Sequence, residues 1–175
     1  MARVLTVSDS VVVNADALSL YELISDPTRM GAWSPENLGA TLRGDRESAF
    51  LGMEFDGHNK RGRAQWTTRC TVTAADAGKL FEFRVHKIGL STPRIPAAIA
   101  TWQFRFSPVP GGTRVTETWT DDRRGWPDLA AELFDKVATG GKTFADFQHG
   151  NIRKTLLNFK SVVEQEVSGV EGSTG

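Results

Sequence analysis

From residue 63 to residue 122 one pattern recurs: apolar and polar residues alternate, run after run, broken only by turn-forming stretches. The runs are "RAQWTTRCTVTAAD", "KLFEFRVHKIG", "IATWQFRFSPV" and "TRVTETWTDD". Successive side chains of a strand point to opposite faces. Trp66, Thr68, Cys70 and Val72 therefore share one side, as do Phe81, Phe83 and Val85, and as do Trp102, Phe104 and Phe106. Arg69, Glu82, Arg84, Gln103 and Arg105 point the other way. Such strands make an antiparallel sheet with one dry face and one wet face. "AADAGK" and "PVPGGT" are turn chemistry, with glycine free to take positive φ. Links this short join antiparallel neighbours. "LSTPRIPAA" holds two prolines and is expected to be a loop.

A dry face needs a cover. One element is long enough: "KTFADFQHGNIRKTLLNFKSVVEQE", with a stripe Ala145, His149, Ile152, Leu156, Phe159, Val163 stepping by four and three. At 1.5 Å per residue it reaches about 35 Å. Ahead of the sheet, "VLTVSDSVVV" is β-branched and strand-like. "NADALSLYELISD" follows as a helix capped by Asn14 or Asp16. Pro27 stops it by disfavouring helix at Asp26, and Thr28 to Ala32 form one more turn. "ATLRGD" and "FLGMEFDGHNK" add strands. "GWPDLAAELFDKVATGG" is a short helix ending at Gly140–Gly141. The expected fold is α+β: a curved antiparallel sheet of about six or seven strands around a long C-terminal helix, with a short helical pair after the first strand. One domain spans 1–166, and 167–175 is a disordered tail. A curved sheet touches a helix along a line, which leaves space beside it.

Bulk composition excludes several functions. Lys plus Arg and Asp plus Glu number 21 each, so no net field attracts nucleic acid or an acidic membrane. Cys70 is the single cysteine, which rules out an intrachain disulfide and any cysteine-rich zinc site. A reducing, cytoplasmic setting is the simpler expectation. No run approaches the roughly 18 apolar residues of a membrane span. His58, His86 and His149 fall on separate elements without metal-ligand spacing, so neither a metal nor another cofactor is expected. "TGGKT" lacks the earlier glycine of a phosphate-binding loop, because Lys136 stands there, and lies between helices rather than after a strand. Its glycines either stop a helix or hinge the segment "DDRRGWPDLAAELF" over an opening.

The order of elements resembles the helix-grip fold of the START-like (SRPBCC) superfamily, which includes the polyketide cyclase/dehydrase and lipid-transport group. "VVVNADALSLYELISDPTRMGAWSPE" is similar to that group's opening strand, helix and "D-P-x-x-x-x-x-W-S-P" junction, and "GTRVTETWT" to its last strand. The likeness spans roughly residues 5–163. It implies a deep pocket between sheet and long helix that binds an apolar or amphipathic molecule. The group shares no catalytic motif, so the likeness assigns no catalytic residue.

One residue breaks the pattern. Val115, Glu117, Trp119 and Asp121 share the buried face of the last strand. An unpaired carboxylate there costs several kcal/mol or takes up a proton. Glu117 lies at a wet strand end, pairs with Arg69 or Arg84 in a shifted register, or anchors a ligand. His149 is either a satisfied core or rim histidine or a pocket group near Glu117, where the two would form an acid/base couple. Trp66, Trp102 and Trp119 either fill core or line a cavity. Thr68, Phe83, Phe104 and Ile152 share that interior, with Met53 and Phe55 as the opposite wall. Trp33 plugs one end or borders an entrance. Cys70 is a small buried apolar group. Three functions compete: a carrier of a hydrophobic lipid or polyketide-like molecule, a cyclase or dehydratase using Glu117 and His149, and a protein-interaction regulator contacting partners through "DDRRGWPDL". A homodimer is compatible with each.

Overall fold

Turns at Gly78 and Gly111–Gly112, all at positive φ, fold the alternating runs into successive hairpins. The computed structural model describes residues 3–45 and 48–171, with side chains described through 166. Seven strands form one sheet: β1 (Thr6–Val13), β2 (Asn37–Leu42), β3 (Glu54–Arg61), β4 (Ala64–Asp76), β5 (Leu80–Gly89), β6 (Ile95–Val109) and β7 (Gly112–Asp121). Their order is β1-β7-β6-β5-β4-β3-β2, and every neighbouring pair is antiparallel. β1 and β2 are therefore the two edges. The chain crosses between them through α1 (Ala17–Ile24) and a 3-10 helix (Pro27–Ala32). Asp16 caps α1 by accepting from the Ser19 N–H at 3.0 Å, and Asp26 caps the 3-10 turn through Thr28.

β6 starts at Ile95, inside the stretch expected to be loop. Ile95 pairs with Ile88 and Pro96 with Lys87, and the register then shifts between Val85 and Lys87. Pro93 stays outside the strand, while Pro96 lies inside it, because a bulge and the first residues of a strand are where a sheet tolerates proline.

The chain ends in α2 (Asp128–Thr139) and α3 (Phe144–Glu171). Gly140 closes α2 in the left-handed conformation at φ 72°. α3 continues to Glu171, past the expected end at 166; residues 172–175 lie outside the described residues. Its buried side is Gln148, Ile152, Thr155, Leu156, Phe159 and Val163. The stripe steps back from Ile152 by four, not three, so Gln148 goes in and His149 stays exposed.

α3 has β1, then β7, as its main close neighbours, with the 3-10 turn and α2. Its first turns reach β3, where the Arg61 guanidinium lies 4.0 Å from the Phe147 ring centre. Polar contacts fix its position. Lys160 Nζ donates to the Val12 carbonyl at 2.7 Å, and Asn158 to the Trp33 carbonyl at 3.0 Å. Arg153 reaches Asp9 at 3.5 Å. The core runs from Leu20, Tyr21 and Ile24 of α1 through Phe81 and Phe106 of the sheet to Leu156 and Phe159 of α3. Each such side chain contributes about 1.5–3 kcal/mol by leaving water.

α2 is built inside out. Its inner side carries Ala131 and Asp135, while Leu129, Leu133 and Val137 are mostly exposed. Asp135 is inside because it accepts from Arg123 Nη1 at 2.7 Å and from the Phe144 N–H at 3.0 Å. Asp121 binds the same guanidinium at 2.8 and 3.0 Å, and Arg3 lies 3.8 Å from Asp121. Two arginines thus meet two aspartates, and the quartet pins α2 and the start of α3 to the end of β7. This favours a fixed helix stop at Gly140–Gly141 over a hinge. Among the described residues no helix is long and apolar enough to cross a membrane.

Candidate ligand-binding site

β7 buries Thr113, Val115, Glu117, Trp119 and Asp121, as alternation predicts. Glu117 stands opposite Phe104 of β6 and opposite Asp9 of β1. Trp119 stands opposite Trp102, and Trp102 opposite Phe83 of β5. Directly opposed residues of an antiparallel pair share a face. Phe83, Trp102, Phe104, Trp119 and Glu117 therefore form one patch on the inner face.

Glu117 is 3% exposed, and its Oε2 meets no hydrogen-bond partner among the described residues. Burial raises its pKa well above the ordinary carboxyl value, because the charged form loses water and gains no cation. Two of the three expectations for this residue fail. It is not at a wet end, since so little of it is exposed. It does not pair with Arg69 or Arg84. Arg69 makes a bidentate pair with Asp56 at 2.8 and 2.9 Å on the outer face, and Arg84 lies 3.3 Å from Asp122.

His149 does not join it. The imidazole sits on the exposed side of α3, and no hydrogen bond or ion pair to Glu117 forms among the described residues. The expected acid/base couple is absent for the reason given above, the phase of the helix. Gln148 takes the inward position.

The other expected residues distribute unevenly. Met53 and Phe55 are buried, and Phe55 meets Phe83 edge-on at 5.2 Å. Phe104, Trp119 and Ile152 are buried as well. Thr68 is half-buried beside Asn59. Trp66, at the far end of β4, is half-buried below the Arg61 guanidinium, 5.4 Å from its ring centre. Trp33 plugs one end: it is 3% exposed and packs edge-on against Phe159 at 5.0 Å. Cys70 is fully enclosed, and burial pushes its thiol up to about 12.

Trp102 differs from all its neighbours on this face. Phe83, Ala100, Phe104 and Trp119 are each buried, yet Trp102 between them is only half-buried.

Several residues of the site were not anticipated. Phe144 stacks on Trp119 at 6.4 Å and on Phe134 at 6.3 Å, with the Arg123 guanidinium 4.7 Å from its ring centre. Arg61 reaches the same junction, 4.0 Å from the Phe147 ring centre, while ion-paired to Glu36. Alternation puts Asp121 on the buried face, but no spacing marks Arg123 or Asp135 as its companions, or brings Arg61 to Phe147.

The outer face carries an open groove of about 560 Å³ lined by Thr71, Thr73, Arg84, His86, Pro96, Ala97 and Ala98. Its polar groups already have partners: His86 bonds Thr71 at 2.8 Å and Arg84 holds Asp122. Burial lowers the His86 pKa.

This architecture, an antiparallel sheet around a long terminal helix, defines a helix-grip protein. The chain belongs to the polyketide cyclase / dehydrase and lipid transport family, whose model matches residues 4–164. A polyketide-cyclase-like protein from Corynebacterium glutamicum is 26% identical, with 95% of this chain and 96% of that one covered and a TM-score of 0.57. A protein from Nitrosomonas europaea has a TM-score of 0.65 at 12% identity, covering 94% and 97%. The di-domain ARO/CYC protein StfQ of the steffimycin biosynthetic pathway has a TM-score of 0.66 at 13% identity. The match covers 94% of this chain and 52% of StfQ. The last two likenesses speak for the fold alone. No curated protein matches the sequence.

Proposed function

We propose that this protein binds an apolar or amphipathic small molecule, of lipid or polyketide type, on the inner face of the sheet beside α3. The observation that carries this is the half-buried Trp102 among buried neighbours, diagonal to a buried carboxyl with an unpartnered oxygen. The exposed part of the Trp102 ring and the unbonded buried oxygen of Glu117 each cost free energy. A guest supplying apolar surface and one hydrogen bond removes both costs. Family membership supports a ligand-binding or cyclase-like role. Apolar pockets with one or two polar anchors are the usual form of such sites. The test is titration with the neutral dye Nile red, together with native mass spectrometry of the purified protein. Saturable dye binding that quenches tryptophan emission and is lost in Trp102→Ala is expected. Unchanged binding in Trp102→Ala would remove the site from this face.

A second reading keeps the same pocket and adds proton transfer by Glu117 alone. Burial raises its pKa, which favours the protonated form, and a protonated carboxyl can serve as a general acid. The expected sign is turnover that falls in Glu117→Gln while ligand affinity survives.

A further inference from the structure

The charges around the inner face are already balanced. Arg3 and Arg123 face Asp121 and Asp135. Arg61 is held by Glu36, and Arg153 of α3 by Asp9 of β1. β5 and β6 bring Phe83, Trp102 and Phe104 to the patch, none of which titrates. Arg3 keeps two buried nitrogens without a hydrogen-bond partner, but it lies at Asp121, four residues along β7 from Glu117, roughly 13 Å away at about 3.3 Å per residue. At the Phe83–Trp102–Phe104 patch the uncompensated polar group is the Glu117 carboxyl, with Asp9 directly across the β1/β7 register. An anion placed there would meet two acids and no available cation. A hydroxyl or a carbonyl would meet a group able to donate and accept.

From this geometry we infer that the pocket selects guests whose buried polar end is an uncharged hydroxyl or carbonyl bonded to Glu117, and rejects anionic amphiphiles such as free carboxylates. The inference rests on the binding reading above and narrows it to a charge class. It distinguishes an alcohol, ketone or phenol from a fatty acid of the same shape. The physical reason is that burying an unpaired charge costs far more than burying a satisfied dipole. Glutamine resembles a protonated glutamate in shape and can also donate and accept, so Glu117→Gln should preserve the preference. Leucine cannot form the bond.

The test uses four probes with one ring system: naphthylmethanol, acetylnaphthalene, naphthoate and naphthylmethylamine. Each is scored by displacement of Nile red from the whole protein at neutral pH. The alcohol and the ketone are expected to displace dye at least tenfold more effectively than naphthoate. Glu117→Gln should leave that order intact, and Glu117→Leu should weaken the alcohol and ketone about 3- to 10-fold, the loss of one hydrogen bond. Circular dichroism checks that both variants fold. Naphthoate binding as tightly as the alcohol would overturn the charge selection while leaving the pocket in place. The amine binding best, and losing that advantage in Glu117→Gln, would overturn it in favour of a cationic guest. Failure of the dye itself to bind would refute the underlying pocket instead.

Discussion

Asp9 and Glu117 stand directly opposite one another across the β1/β7 register, and only one of them has found a partner. Asp9 turns to Arg153 on α3 at 3.5 Å, while Glu117 points into the interior with Oε2 unbonded. Burial without a cation partner raises the Glu117 pKa and so favours its protonated form.

That asymmetry sets a pH dependence. Burial raises the Glu117 pKa in the folded protein above its ordinary 4.5. Below about pH 4.5 both folded and unfolded chains hold the proton, and Glu117 exacts no ionisation penalty. As pH rises past that value the unfolded chain releases the proton first, so stability falls until the folded pKa is reached. Glu117→Gln should flatten this descent and equal or exceed the native protein in urea midpoint at pH 7. A steeper decline in the variant would contradict the buried-acid assignment.

The quartet at the end of β7 should behave as a latch. Asp135→Ala leaves the Arg123 guanidinium buried with one partner fewer and frees the Phe144 N–H. Breaking a buried pair from one side costs about 3–5 kcal/mol. Limited proteolysis should then cut within 123–143 before the sheet unfolds. The double change Arg123→Met with Asp135→Leu leaves Arg3 facing Asp121 and should recover most of the loss.

Cys70 should be inert in the folded protein. It is 2% exposed with a thiol pushed up to about 12 by burial, so almost no thiolate exists at neutral pH. Labelling by an aromatic disulfide reagent should track global unfolding in denaturant. Fast labelling under native conditions would show that β4 opens locally.

The β6–β7 turn should depend on Gly112 more than on Gly111: both lie at positive φ, Gly111 at 87°, which strains any side chain, but only Gly112 adds a clash. A Cβ at Gly112 would sit 2.0 Å from the Val13 carbonyl oxygen, and its φ of 133° disfavours any side chain. A Cβ at Gly111 meets nothing within 4 Å. Gly112→Ala should destabilise by more than about 1 kcal/mol, and Gly111→Ala by clearly less, as read by thermal melting.

Much of this was legible in residue order alone. Alternation at Phe81, Phe83, Phe104 and Phe106 named the dry face, and alternation through Val115 and Trp119 carried Glu117 with it, because a strand has only two sides. Turn glycines set antiparallel neighbours, and the length of the last helix identified the cover. Two errors were local. Pro96 hid the start of β6 because a proline at a bulge looks like one in a loop. A helical stripe stepping by three or four fits two phases at its end, so the pattern admits His149 inward, and tertiary packing buries Gln148 instead.

The sequence by itself determined which residues leave water and that strands joined by short links pair antiparallel, since those follow from backbone periodicity and short-range turn chemistry; the pairing of β1 with β7 came from tertiary structure. Tertiary structure alone decided where α3 rests, which cation each acid meets, and that Arg3, Asp121, Arg123 and Asp135 close on one another. Those outcomes depend on contacts between residues far apart in the chain, such as Lys160 with Val12, 148 positions away, and no local periodicity encodes a distance of that kind.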